Sequence, residues 1–179
     1  MAIRDGGGKD YELRDYNGTG IWSASAIIER YSTYAKLLGV EEPRTIKPSE
    51  TVSKNGAVKW VYPVMDAIVA GIREGDRACV EIGVEFIEHC QKQPFGRLLH
   101  SNTARVLRQQ RHLLTGGQIN RLRNRILQML LDEQIPHEYK EYSKLLKRIG
   151  FGAHWEAVQA AANRDNRYVR RYLDYFEMP

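Results

Sequence analysis

Residues 103–131 read TARVLRQQRHLLTGGQINRLRNRILQMLL, and this stretch decides the fold. Val106, Leu107, Leu113 and Leu114 share one side of a helical wheel. After the Thr115-Gly116-Gly117 link, Leu122, Ile126, Met129 and Leu130 do the same. Thr115 and Gln118 stand at the spacing of a capping box, in which each side chain bonds the other residue's backbone N–H. The pattern predicts a helix capped by Ser101 or Asn102 and ending near Leu114. A second helix is predicted to follow, starting at Thr115 and running to about Glu133. So short a link makes the two antiparallel neighbours.

The polar sides of this hairpin carry the chemistry. Between Glu88 and Asp132 lie 43 consecutive residues without Asp or Glu, and they include Lys92 and seven arginines. Helix surfaces normally mix the two charge signs, so these cations need counter-charge from elsewhere. At about 100° per residue, Arg105, Arg108, Arg111 and His112 fall within about a third of a turn. Arg121 and Arg125 share the polar face of the next helix with Asn124 and Gln128. If the two faces adjoin, Arg105, Arg108, Arg111, Arg121 and Arg125 form one acid-free patch suited to bidentate phosphate contacts. The alternatives are a merely solvated face and closure of the arginine faces against Glu81, Glu85 and Glu88. Arg123 falls among apolar positions and is expected to reach a carboxylate from another part of the fold, because an unpaired buried charge is costly.

Helical signals extend outward from the hairpin. Upstream, Ser23 or Ser25 caps a helix with Ile27, Tyr31 and Leu38 in its apolar set, and Gly39 lies past its end. Pro63 opens a second helix that stops at Gly75, and Asp76 caps a third. Downstream, Pro136 opens a helix closed by Gly150. Two short helices fit residues 152–163 and 166–177, the second capped by Asp165. The expected class is therefore all-α: a multi-helix bundle of seven or eight short helices, with a short HEAT-like stack of helical hairpins as the alternative. Residues 1–20, rich in glycine and without sustained alternation, read as a flexible arm with no early strand. Residues 21–179 read as a single helical domain, with the Pro- and Gly-bearing 40–60 loop as its candidate internal boundary and a short strand at Val58–Tyr62.

Composition narrows the function classes. The 42% hydrophobic and 27% charged content suits a folded protein, and no apolar run approaches the ~20 residues that span a bilayer. The N-terminus lacks the apolar core of a secretory signal, so the cytoplasm is the expected compartment. Net charge is +5, unevenly spread: residues 63–92 carry three basic and six acidic side chains, and residues 93–149 carry eleven and four. Cys79 and Cys90 read as core thiols. Zinc-ligand spacings and a phosphate loop are both missing, and the segment His137–Glu141 reads as a solvated first turn. Neither a metal, a cofactor nor a nucleophile–base arrangement is read here. The stretch Asn166–Leu173 resembles the second helix of a helix-turn-helix, although its tyrosines with Tyr175 and Phe176 read first as a core stripe. The leading expectation is a non-enzymatic nucleic-acid-binding protein using the five arginines. Second comes a helical interaction or scaffold module that binds an acidic protein or its own second copy.

Overall fold

A computed structural model describes residues 2–4, 10–89 and 92–178. Among these residues the chain is predominantly helical, with eight α-helices and one small sheet. It forms two compact units. The first comprises 1–82 with 91–96, and the second 83–90 with 97–179. The division falls within a helix and not in the 40–60 loop.

The first unit holds the sheet, which the all-α reading did not include. Its strands are β1 (Ala2–Arg4), β2 (Asp10–Asp15), β3 (Glu50–Val52) and β4 (Val58–Val61), in the order β1-β2-β4-β3. Only β4 was expected. β2 corrects the reading that no strand precedes residue 20: it pairs in parallel with β4, Glu12 opposite Val58 and Asp15 opposite Val61. Tyr11 and Leu13 are half-buried while Glu12 and Arg14 are exposed, so the alternation exists but is too brief to stand out. Its partner lies far along the chain, which no local pattern reveals.

Just after β2, Asn17 ties the sheet to a helix start. Its Oδ1 accepts from the Val64 N–H at 2.7 Å, and its Nδ2 donates to Asp15 Oδ1 at 2.7 Å. The Val64 N–H precedes helix α2 (Met65–Arg73), where no local side chain caps the end. Asn17 thus supplies from a distance what an N-cap usually supplies locally.

Helix α1 (Ala24–Leu37) begins at Ser23, whose hydroxyl accepts from Ala26 N–H, and it buries Ile27, Tyr31 and Ala35. Leu38, expected in its apolar set, is exposed. Helix α3 (Arg77–Glu88) starts as the sequence implies, with Asp76 Oδ1 accepting from Ala78 and Cys79 N–H. The other Asp76 oxygen accepts from the Tyr31 hydroxyl at 2.7 Å, and that hydroxyl accepts from Arg44 N–H at 2.8 Å. One carboxylate therefore caps α3, orients α1 and anchors the loop after α1. Cys79 is fully buried against Gly71, where a side-chain carbon would collide with its sulfur. Burial pushes the Cys79 thiol upward, as expected of an inert core cysteine. Cys90 lies outside the described residues.

The second unit takes the rest of α3 from Gly83, then α4 (Gly96–Gln109), α5 (Gly116–Leu131), α6 (Tyr139–Ile149), α7 (Trp155–Ala161) and α8 (Arg167–Glu177). The Thr115–Gln118 capping box forms with both bonds present. α4 begins at Gly96, ahead of the expected Ser101 or Asn102 cap, and ends at Gln109; Arg111–Leu113 form a separate 3-10 turn. α8 is capped by Asn166 instead of Asp165, its Oδ1 accepting from Tyr168 and Val169 N–H. Glu133 sits at a left-handed φ of 57°, where Asn163 and Asn166 amides both donate to its carboxylate, at 2.8 and 2.6 Å. No helix among the described residues is long and apolar enough to cross a membrane.

Replacing Asn17 by Ala should lower stability by about 1–2 kcal/mol, because the Val64 N–H loses its acceptor. Equilibrium urea denaturation measures this. An unchanged midpoint would mean that the amide does not stabilise the start of α2.

Candidate functional site

All of the net positive charge resides in the second unit, which carries fifteen basic and ten acidic side chains. The first carries twelve of each. The five arginines singled out in the sequence all lie in the second unit, but their surroundings differ.

Arg105 and Arg108 project from α4 toward Glu141 of α6. Glu141 is only 8% exposed, and its Oε2 lies 3.4 Å from Arg108 Nη1 and 3.8 Å from Arg105 Nε. Its Oε1 accepts from Lys144 Nζ at 2.9 Å. Burial pushes this carboxyl up, but the Lys144, Arg108 and Arg105 cations outweigh it and hold Glu141 below the usual carboxylate range. Arg105 stays exposed and also donates to Asn102 Oδ1 at 3.1 Å, whereas Arg108 is half-buried. The solvated first turn expected at His137–Glu141 is corrected: Glu138, Tyr139 and Glu141 are buried, and only His137 and Lys140 are exposed.

Arg121 meets Glu88 at the end of α3. Its Nε lies 3.0 and 3.1 Å from the two carboxylate oxygens, and its Nη2 also bonds Oε2. The fork geometry uses most of what this guanidinium could offer a phosphate. Arg125 is half-buried, and its Nε is sequestered without a hydrogen-bond partner among the described residues. Arg111 is exposed in the 3-10 turn, off the helical face that the wheel assigned to it, because α4 ends two residues earlier. Among the described residues no carboxylate pairs with it.

Arg123 departs from expectation in its partner. It caps the C-terminus of α6, Nε donating to Gly150 O at 2.8 Å and Nη2 to Ile149 O at 3.3 Å, with Nη1 on Asn120 Oδ1 at 2.8 Å. Carbonyls at the negative end of a helix dipole take the place of the expected carboxylate. Gly152, at φ 74°, leaves room for this side chain, since a Cβ there would come within 2.8 Å of it.

Next to Arg125 lies His100, 2% exposed, its ring stacked on Phe86 with centroids 4.0 Å apart and planes 6° from parallel. Burial, reinforced by the nearby Arg125 charge, pushes His100 down to about 4. The imidazole is therefore neutral at pH 7 and acts as a core ring. On α8, Val169, Leu173 and Phe176 are buried, Tyr172 and Tyr175 half-buried, and Tyr168 exposed under the Arg167 guanidinium at 4.6 Å. Arg167, Arg170 and Arg171 are exposed.

Sequence reasoning missed Glu141 as the organiser of this surface, and it missed Lys140, Lys144 and Arg171, which share a cleft between α6 and α8. Their spacing carries no motif, because only the packing of the two helices brings them together. Among the described residues no three His, Cys, Asp or Glu side chains converge as a metal site. Comparison with known protein families, characterised proteins and solved structures found no match to this chain.

His100 gives this unit a defined acid response. An unfolded histidine titrates near 6.5, so between about 6.5 and 4 the unfolded state binds a proton that the folded state refuses. Stability should fall as pH drops through that window and level off, for this group, below it. The stability difference between wild type and His100→Phe should shift in the variant's favour by about 2 kcal/mol from pH 7 to pH 5. Parallel pH profiles from denaturation would contradict the buried neutral imidazole.

Proposed function

We propose that the second unit binds nucleic acid, non-enzymatically and mainly through phosphate contacts, using the arginine surface at the end of α4. The observation that supports this reading is the confinement of the whole net charge of +5 to that unit. Arg105 and Arg111 are the exposed members and would meet the phosphates directly. Arg108 contributes at the edge of the surface while holding Glu141. Arg121 and Arg125 would add to the local positive potential more than to direct bonding, since one is forked onto Glu88 and the other half-buried. A second reading is a helical interaction module that docks an acidic protein or a second copy. It draws on Leu98, which is 58% exposed beside exposed Arg97 on α4.

Fluorescence anisotropy with duplex and single-stranded oligonucleotides, from roughly 50 to 200 mM salt, tests the first reading. Each phosphate contact on duplex DNA should contribute about −0.9 to the log–log salt slope. The Arg105→Ala/Arg111→Ala double variant should therefore shallow the slope by about 1.8 and lose less stability than Arg108→Ala, because Arg105 is exposed and makes the longest of the Glu141 ion pairs, at 3.8 Å. Arg108→Ala should behave differently and cost about 1–2 kcal/mol of stability, because Glu141 stays buried with fewer partners. No binding at the lowest salt would sink the nucleic-acid reading and favour the interaction module.

A further inference from the structure

A cleft between α6 and α8 encloses about 310 Å³, within the range of small-molecule sites. Lys140, Ser143 and Lys144 line it from α6, and Arg171, Tyr172 and Tyr175 from α8, with Met178 at the open end. Three cations face this space, and among the described residues no carboxylate lines it. Lys144 is answered by Glu141 behind the wall. Lys140 and Arg171 are exposed, and among the described residues neither has a carboxylate partner.

The walls are also held in place. The Tyr172 ring meets Tyr139 edge-on, centroids 4.7 Å apart, and Tyr139 is anchored by its hydroxyl bond to Ile126 O at 3.0 Å. Lys147 fixes the far end: its ammonium lies 4.7 Å from the Tyr175 ring centroid and donates to Tyr175 O and Met178 O, at 3.2 and 2.8 Å. Ser143 is buried, its hydroxyl donating to Lys140 O at 2.9 Å. The aromatic sides are thus pre-set before any ligand arrives, which lowers the ordering cost of binding.

We propose that this cleft binds a small organic anion with one planar ring system, the ring against Tyr172 and Tyr175 and a phosphate or carboxylate among Lys140, Lys144 and Arg171. Each half of such a molecule matches one half of the lining: the aromatic walls take apolar surface and the cationic rim takes the charge. A molecule of mononucleotide size or smaller suits the volume. Neither Arg105 nor Arg111 lines the cleft, so the site stands independently of the nucleic-acid reading.

Isothermal titration of the full chain with benzoate, phenyl phosphate and adenosine monophosphate tests this, with inorganic phosphate and phenol as the two separate halves. At least one of the three anions should bind with a Kd below about 1 mM and at least about tenfold more tightly than either half. The preferred one distinguishes a carboxylate, an aryl phosphate and a nucleotide as the source of the charge. Lys140→Ala/Arg171→Ala should weaken that binding at least about tenfold, and Lys140→Gln alone should weaken it less, both with unchanged melting temperature. Failure of all three anions to bind at millimolar concentration would overturn the proposal. So would inorganic phosphate binding as tightly as the ring-bearing anions, or affinity that survives both the double and the single variant.

Discussion

The buried carboxylate of Glu141 is the interaction on which the charge arrangement of the second unit depends. A run of 43 residues with seven arginines and no acid cannot neutralise itself, so its counter-charge has to come from either side in sequence. Glu88 supplies it from before the run and Glu141 from after. A carboxylate buried without partners would carry a desolvation cost of several kcal/mol. Lys144, Arg108 and Arg105 converge on Glu141 and remove that cost, and by doing so they tie α4 to α6. Fold and electrostatics are coupled here in both directions: the cations keep the acid ionised inside, and the acid decides which way α4 turns its polar side.

Where both partners of an interaction lie within one helical turn, the sequence was readable. Thr115 and Gln118 are three residues apart, so their reciprocal caps followed from spacing alone. Asp76 at the start of α3, and Gly39, Gly75 and Gly150 at helix ends, were legible for the same reason. Misreadings came where a local signal had a competing use. Ser101 and Asn102 looked like caps, yet α4 had already begun at Gly96, and nearby Thr103 bonds Leu99 O within the helix. Arg111 was assigned to the α4 face by extending the wheel past Gln109, where the backbone tightens into a 3-10 turn. β2 escaped notice because a strand of six residues has little room for alternation, and its parallel partner is remote.

The candidate sites were legible in composition and illegible in placement. An acid-free basic run announces surplus charge, but says nothing about which arginines will be met inside the fold. Arg123 shows the limit well. Its apolar neighbours on the wheel correctly implied a partner, but a carbonyl at the end of α6 is invisible in a sequence, since every residue carries one. The α6–α8 cleft was hidden more completely. Lys140 read as part of a solvated first turn, Lys144 carried no signal, and Arg171 read as a cation on a tyrosine-striped helix; the packing of α6 against α8 brings the three to a common space.

Internal pairing can redistribute this charge but cannot remove it. With fifteen basic and ten acidic side chains in the second unit, a net of five positive charges remains whichever ion pairs form. Glu88 holds Arg121, and Glu141 holds Arg108 and Lys144 closely and the exposed Arg105 more loosely, at 3.8 Å. Exposed charges more than about 10 Å apart are largely screened at 0.1 M salt, so a surplus scattered evenly would attract little. Here Arg105 and Arg111 stand on α4 and the turn after it, and Lys140 and Arg171 rim one cleft. Two acidic side chains, placed at the borders of the basic run, thereby convert a diffuse excess of charge into local surfaces with distinct chemistry. One is the exposed Arg105 and Arg111 surface, for which we propose phosphate as the partner. The other is an aromatic-walled, cation-rimmed cleft, for which we propose a small ring-bearing anion.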